Sequence, residues 1–177
     1  MNSCDSGLVK KTDTSTKLHN LSDKWTIWAH LPHDIDWSLK SYSKILTFNH
    51  IEEIITLNNT IPEIMIKNCM LFMMKDGITP IWEDKKNRNG GCFSYRISNK
   101  HIAEIWNTLC YKIVGKTCCK NKKLLETING ITVSPKKNFC ILKIWLSNCD
   151  YKNPDIIQNI EGLNQNGCLF KKHNPEF

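Results

Sequence analysis

The segment 100–114 can be satisfied by one element only, an amphipathic helix. Ile102, Ile105, Trp106, Leu109, Cys110 and Ile113 recur at three- and four-residue steps, which puts them on one stripe of a 3.6-residue repeat. Gly115 follows, and the spacing predicts that the helix ends there. The other apolar segments are mostly of strand length. Residues 24–29 alternate apolar and polar, with Trp25, Ile27 and Trp28 prominent, and 43–48 reads the same way. The run 69–74 is almost continuously apolar, as a buried strand would be, and Gly90-Gly91 leads into a further strand over 92–97. Two strands over 128–133 and 140–146 make a hairpin across 134–139, and 168–172 is a last short strand. A second helix is expected over 50–58, opened by Asn49 as N-cap with Glu52 three positions on, and a short third over 153–160 with Pro154 in its first turn. Many short strands with about three helices predict an α+β domain: an antiparallel sheet, helices packed on one face, and the other face free for a ligand.

The chemistry concentrates in 75–87, Lys-Asp-Gly-Ile-Thr-Pro-Ile-Trp-Glu-Asp-Lys-Lys-Asn, which reads as a loop. Trp82 offers a flat, electron-rich indole face, and Glu83 beside it can accept two parallel hydrogen bonds from an N–H edge. The nearby ammonium groups suit phosphates. Those parts together suit a purine nucleotide, above all one with a cationic base. A net charge of +7 agrees with a polyanionic partner without identifying one. Arg88 and Arg96 are the only arginines among 24 basic residues, so phosphate would meet point charges rather than guanidinium forks.

Nine cysteines raise the question of disulfides or zinc, but the number is odd and no Cys-x-x-Cys spacing occurs. Reduced, structural thiols are the expectation, with no metal and no cofactor. No apolar run approaches membrane-spanning length, and the polar start is unlike a signal peptide, which predicts a cytoplasmic or nuclear protein without a membrane partner. Residues 1–17 mix Ser, Thr, Asp and Lys and are expected to form a flexible tail before one domain over 18–177.

From His19 to Trp145 the chain resembles the eukaryotic translation initiation factor 4E family, whose members bind the 7-methylguanosine cap of messenger RNA. The Trp-Glu run of 75–87, the Gly90-Gly91 pair and six tryptophans in register carry the likeness. It implies a curved sheet and a monomer. It also implies a cap sandwiched between Trp37 and Trp82, with Glu83 on the guanine edge and Trp145 at the methyl group. Lys136, Lys137 and Arg88 would meet the phosphates. Where the family commonly has phosphate-site basic residues, this chain has Lys136, Ile141 and Cys92, so that contact is expected to be rearranged and weakened. The family also binds a helical peptide, from initiation factor 4G or a repressor, on its helical face. His19 and Ile51 are kept there, while Ile55, Asn20, Asn107 and Thr108 depart from the pattern and imply altered specificity. The residues after Phe170 imply a shorter C-terminal tail than the family's.

Periodicity by itself makes Trp25, Trp28 and Trp106 core residues, and it leaves Trp145, on an alternating strand, open between core and ligand contact. Lys116, Lys120, Lys122 and Lys123 read as a solvated loop. Catalysis is not expected, since hydrolysing a cap needs a metal-binding acidic cluster or a nucleophile–base pair and local spacing suggests neither. Two further readings stay open: a cap-binding repressor or decoy that does not recruit initiation factor 4G, and an interaction module without cap binding.

Overall fold

The computed structural model describes residues 17–175, so the expected tail lies, apart from Lys17, outside the described residues. Its strands are β1 (Asn20–His30), β2 (Tyr42–His50), β3 (Met70–Lys75), β4 (Gly91–Ser98), β5 (Ile128–Pro135), β6 (Phe139–Leu146) and β7 (Leu169–Lys172). They form one sheet in the order β2-β1-β3-β5-β6-β4-β7, and every neighbouring pair is antiparallel. Four helices accompany it: α1 (Ile51–Thr60), α2 (Glu63–Asn68), α3 (Ile102–Val114) and α4 (Lys122–Thr127).

Strand alternation divides the side chains between two faces. Trp25, Ile27, Leu71, Met73, Phe93, Tyr95, Ile131, Val133, Leu142 and Ile144 point to the helix side. There they meet the α3 stripe, whose Ile102, Ile105, Trp106, Leu109, Cys110 and Ile113 are all at most 3% exposed. Each fully buried aliphatic side chain contributes roughly 1.5–3 kcal/mol relative to an exposed one, so this interface is the main source of stability. On the opposite face a smaller cluster forms from Phe72, Met74, Ile78 and Trp145, with Trp28, Tyr42, Met70 and Trp82 against it. Trp25 and Trp28 therefore part company. Three residues apart on a strand, they must face opposite ways, and Trp28 belongs to the open face rather than to the helix-side core.

Several local expectations are corrected. The N-cap of α1 is His50, not Asn49, and the carboxylate that closes its first turn is Glu53, which accepts the backbone N–H groups of Asn49 and His50 at 3.0 and 2.9 Å. Glu52 turns away to His19 instead. After α3 the left-handed residue is Lys116 (φ 52°), whereas Gly115 has φ −83°. The expected helix over 153–160 is a single 3-10 turn, Pro154–Ile156, with Asn153 accepting from the Asp155 N–H. The lysine-rich loop hides α4, started by Asn121, whose side chain accepts from the Leu124 N–H at 3.1 Å. The described cysteines are all free thiols.

Gly90 and Gly91 are needed for space. A Cβ on Gly90 would sit 1.8 Å from the Leu146 carbonyl oxygen, and one on Gly91 2.5 Å from the Phe170 ring and 2.8 Å from the Lys171 carbonyl oxygen. Here β4 is pressed between β6 and β7 beside the loop that follows β3. Gly90→Ala is expected to cost about 2 kcal/mol, a melting point lower by roughly 5 °C. An unchanged melting curve would contradict that close approach.

Candidate functional site

Register lines up the open face in rows. One row runs Thr26, Met74, Gly130, Trp145, Cys92 and Lys171 across β1, β3, β5, β6, β4 and β7. The next runs Trp28, Phe72, Thr132, Lys143, Ser94 and Leu169. A cleft of about 510 Å³ opens over these rows, walled by Trp37, Ser38, Tyr42, Met70, Phe72, Pro80, Ile81, Trp82, Glu83, Thr132, Lys143 and Trp145.

The loop carrying Trp82 and Glu83 is anchored through Ile78 in the open-face cluster and is further held by polar groups. Gly77 (φ 77°) turns the chain after β3. The Asp84 carboxylate then accepts the Thr79 N–H (2.8 Å), the Thr79 hydroxyl (2.6 Å) and the Lys86 N–H (2.8 Å). Burial opposes ionisation of Asp84, but these hydrogen bonds prevail and hold its carboxyl below the usual range. Asn87, fully buried, donates to the Thr79 and Ile81 carbonyls at 2.9 Å each. A register shift between Ile128 and Gly130 sets Asn129 free of the ladder, and its amide donates to the Lys86 carbonyl and the Asn87 side chain. Such a bulge re-aims one side chain without ending the strand. Last, His173 donates from Nδ1 to the Asn87 carbonyl at 2.7 Å, which fixes its tautomer.

Both indoles at the cleft mouth are stacked on an imidazole. His30 lies on Trp37 with centroids 4.4 Å apart and planes 2° from parallel, and its Nε2 is 2.9 Å from the Asp36 carbonyl. His173 lies on Trp82 at 5.8 Å and 12°, and tilts against Trp145 at 4.8 Å. Each stack covers one face. Trp37, 59% exposed, keeps the other open. Burial holds His173 below its ordinary pKa, with Lys143 acting the same way, so it is neutral near pH 7.

Charge is arranged in two zones. Glu83 stands near Tyr42, whose hydroxyl is pushed up first by burial and then by that carboxylate. Across the cleft the Lys143 ammonium lies 5.6 Å from the Trp82 ring centre. Burial draws its pKa down, and Lys171 and Lys136 push the same way against the opposing Cys92. A lysine kept charged at such a cost is favoured by an anion beside it.

Of the residues singled out from sequence, Trp37, Trp82, Glu83 and Trp145 come together in the cleft wall. Lys136, Lys137 and Arg88 are exposed and stand outside it, although Lys136 is near enough to act on Lys143. On the helical side the His19 backbone N–H and Nδ1 bond the Glu52 carboxylate at 3.0 and 2.6 Å, lowering its pKa to about 2. Ile51 and Ile55, one turn apart on α1, are 42% and 43% exposed, while Asn107 is half-buried on α3. Sequence reasoning passed over Lys143, Lys171, His30 and His173. Lys143 was within reach, since it stands two residues before Trp145 on a strand and shares its face; the two histidines gave no local signal.

The family model described as Eukaryotic initiation factor 4E matches residues 20–174 of this chain. The chain belongs to the eukaryotic initiation factor 4E family. Among curated relatives of this family member, eukaryotic translation initiation factor 4E-2 of Schizosaccharomyces pombe is 28% identical over 151 residues, 81% of this chain and 59% of that protein. The initiation factor 4E homolog of Acanthamoeba polyphaga mimivirus is 39% identical over 62 residues, 35% of this chain and 23% of that one. The family member thus spans less than two thirds of the length of such relatives, 66% for the Candida albicans factor. A solved schistosome eIF4E, complexed with m7GpppG and 4E-BP, superposes with a TM-score of 0.67 at 26% identity, covering 75% of this chain and 74% of that one. Ascaris suum eIF4E-3 with m7G cap, at 22% identity and TM-score 0.67 over 76% of each chain, shares the fold. Among the described residues no helix is long and apolar enough to cross a membrane.

Proposed function

We propose that this family member binds the 7-methylguanosine 5′ cap of messenger RNA in the cytoplasm, as a binding protein in translation initiation and not as a catalyst. The observation that carries the reading is the convergence of Trp37, Trp82, Glu83 and Trp145, from three separate stretches of chain, on one cleft. Methylation at N7 spreads positive charge over the guanine. Between the free faces of Trp37 and Trp82 such a base gains cation–π attraction as well as stacking, about 0.5–2 kcal/mol per contact. Glu83 accepts from guanine N1–H and N2–H, a charge-assisted pair that adenine cannot supply. Trp145 on the floor meets the methyl group.

The phosphates then run toward Lys143, with Lys136 and Lys171 in support. Lys137 and Arg88 act at longer range, through the general field. As the base arrives, it takes over the cationic role that Lys143 holds over Trp82, and the ammonium is released toward the phosphates.

A partner belongs on the helical face. Ile51 and Ile55 offer an apolar strip there, with the His19–Glu52 pair at its edge, suited to an amphipathic helical peptide; Asn107, half-buried on α3, is assigned to the same partner. An initiation factor 4G-like scaffold there makes the protein an activator, and a repressor makes it a store of capped messages.

A tryptophan-fluorescence titration with 7-methyl-GTP, and separately with GTP at the same salt, tests the cap reading. Quenching with a preference of about tenfold or more for the methylated nucleotide is expected from two cation–π contacts. Equal affinity for the two, or none for either, would remove the cap from this site.

A further inference from the structure

Beyond the cleft the open face continues toward the β5–β6 hairpin, and it ends on an unusual pair. Arg96 on β4 is opposite Ile141 on β6, one row past Lys143, and Phe139 follows at the start of β6 opposite Ser98. Cys140, Leu142 and Ile144 belong to the helix-side core, so Phe139, Ile141, Lys143 and Trp145 share the other face. The Arg96 guanidinium carbon sits 4.0 Å over the Phe139 ring. Phe139 is half-buried and tied down by its carbonyl, which accepts the Lys136 N–H at 2.7 Å, while Arg96 is exposed. The result is a flat cationic surface with a rigid base, outside the site described above.

We propose that Arg96 on Phe139 is a stacking platform for the nucleoside joined to the cap through the triphosphate. This rests on the cap reading of the cleft. At about 3.3 Å per residue, Lys143 lies about 7 Å beyond Trp145 along β6, and Phe139 about 13 Å further. A base at Trp145 with its phosphates at Lys143 therefore sends the next nucleoside along the strand toward Arg96. Lys143 and Lys136 supply the charge a triphosphate needs, and Arg96, one row past Lys143, lies where the next nucleoside follows. A guanidinium held on a ring accepts any base on its outer side, so the platform serves every first nucleotide.

The test compares 7-methyl-GTP, which stops at the phosphates, with the dinucleotide 7-methyl-GpppA. R96Q and R96K are expected to weaken 7-methyl-GpppA about fivefold, the loss of one modest base stack, and to leave 7-methyl-GTP within about twofold. R96K discriminates because it keeps the charge and removes the plane. F139L, which preserves apolar volume at the hairpin, should act in the same direction. Binding of 7-methyl-GTP by each variant doubles as the check that it has folded. Unchanged affinity for 7-methyl-GpppA would overturn the platform, as would an equal loss for both ligands, which would make Arg96 a plain phosphate charge. Failure of the parent protein to bind 7-methyl-GTP strikes the cap reading itself and the platform with it, and is seen before any variant is made.

Discussion

Trp82→Ala is expected to lower the affinity for 7-methyl-GTP at least about tenfold. The indole contributes a stacking contact, about 1–3 kcal/mol for a base on an aromatic ring, and a cation–π contribution of about 0.5–2 kcal/mol. The low end of their sum, roughly 1.5 kcal/mol, already corresponds to about tenfold. The loss should be larger for methylated nucleotides, because only they add the cation–π share to the stacking. Truncation also exposes His173 and the Lys143 ammonium, so the melting temperature should be followed alongside. Trp37→Ala gives a cleaner comparison, since that indole is largely outside the core. It should lose affinity in the same sense with little change in melting. Retained 7-methyl-GTP affinity in Trp82→Ala, in a variant that melts like the parent, would sink the aromatic sandwich.

The second large effect is expected at Glu83. Removing the carboxylate in Glu83→Ala deletes two charge-assisted hydrogen bonds to the guanine edge and leaves those donors without partners inside a cleft. A cost of about 3 kcal/mol, or roughly 100-fold in affinity, follows. The more telling outcome is selectivity. Stacking accepts any base, so with Glu83 gone the preference for guanosine over adenosine cap analogues should collapse. Glu83→Gln keeps the shape, loses the charge and offers one acceptor, and belongs between the parent and Glu83→Ala. If Glu83→Ala still separates guanosine from adenosine caps as the parent does, the edge is read elsewhere.

Local periodicity announces elements, and so β1, β3, β4, the β5–β6 hairpin and α3 were all legible. It was less able to place boundaries. The turn that opens α1 could be closed by either of two adjacent glutamates, and the choice of Glu53 was settled by the backbone path at the end of β2. Residues 153–160 form only a 3-10 turn, because Asn153 and Pro154 fix a first turn and nothing obliges a second. Lys122 and Lys123 read as part of a charged loop, yet they open α4, whose Leu124 is fully buried. The site followed the same division. Trp82-Glu83 stood out because an aromatic and an acid side by side in a turn have no evident structural use. His30, Lys143 and His173 are ordinary until the fold sets them on Trp37 and Trp82.

The sequence by itself determined the class of fold, the division of each strand into two faces, and the residue types that suit a cationic purine. Those depend on short-range geometry: the two-residue repeat of a strand, the 3.6-residue repeat of a helix, and the chemistry of single side chains. Only the tertiary structure decided which of the six tryptophans reach the open face and what lies behind each ring. It also decided that Lys143, not an arginine, faces Trp82, and that Arg96 lies on Phe139. Those are contacts between residues far apart in the chain, fixed by the register of one strand against the next, and a slip of a single residue in that register would turn every one of them to the other face.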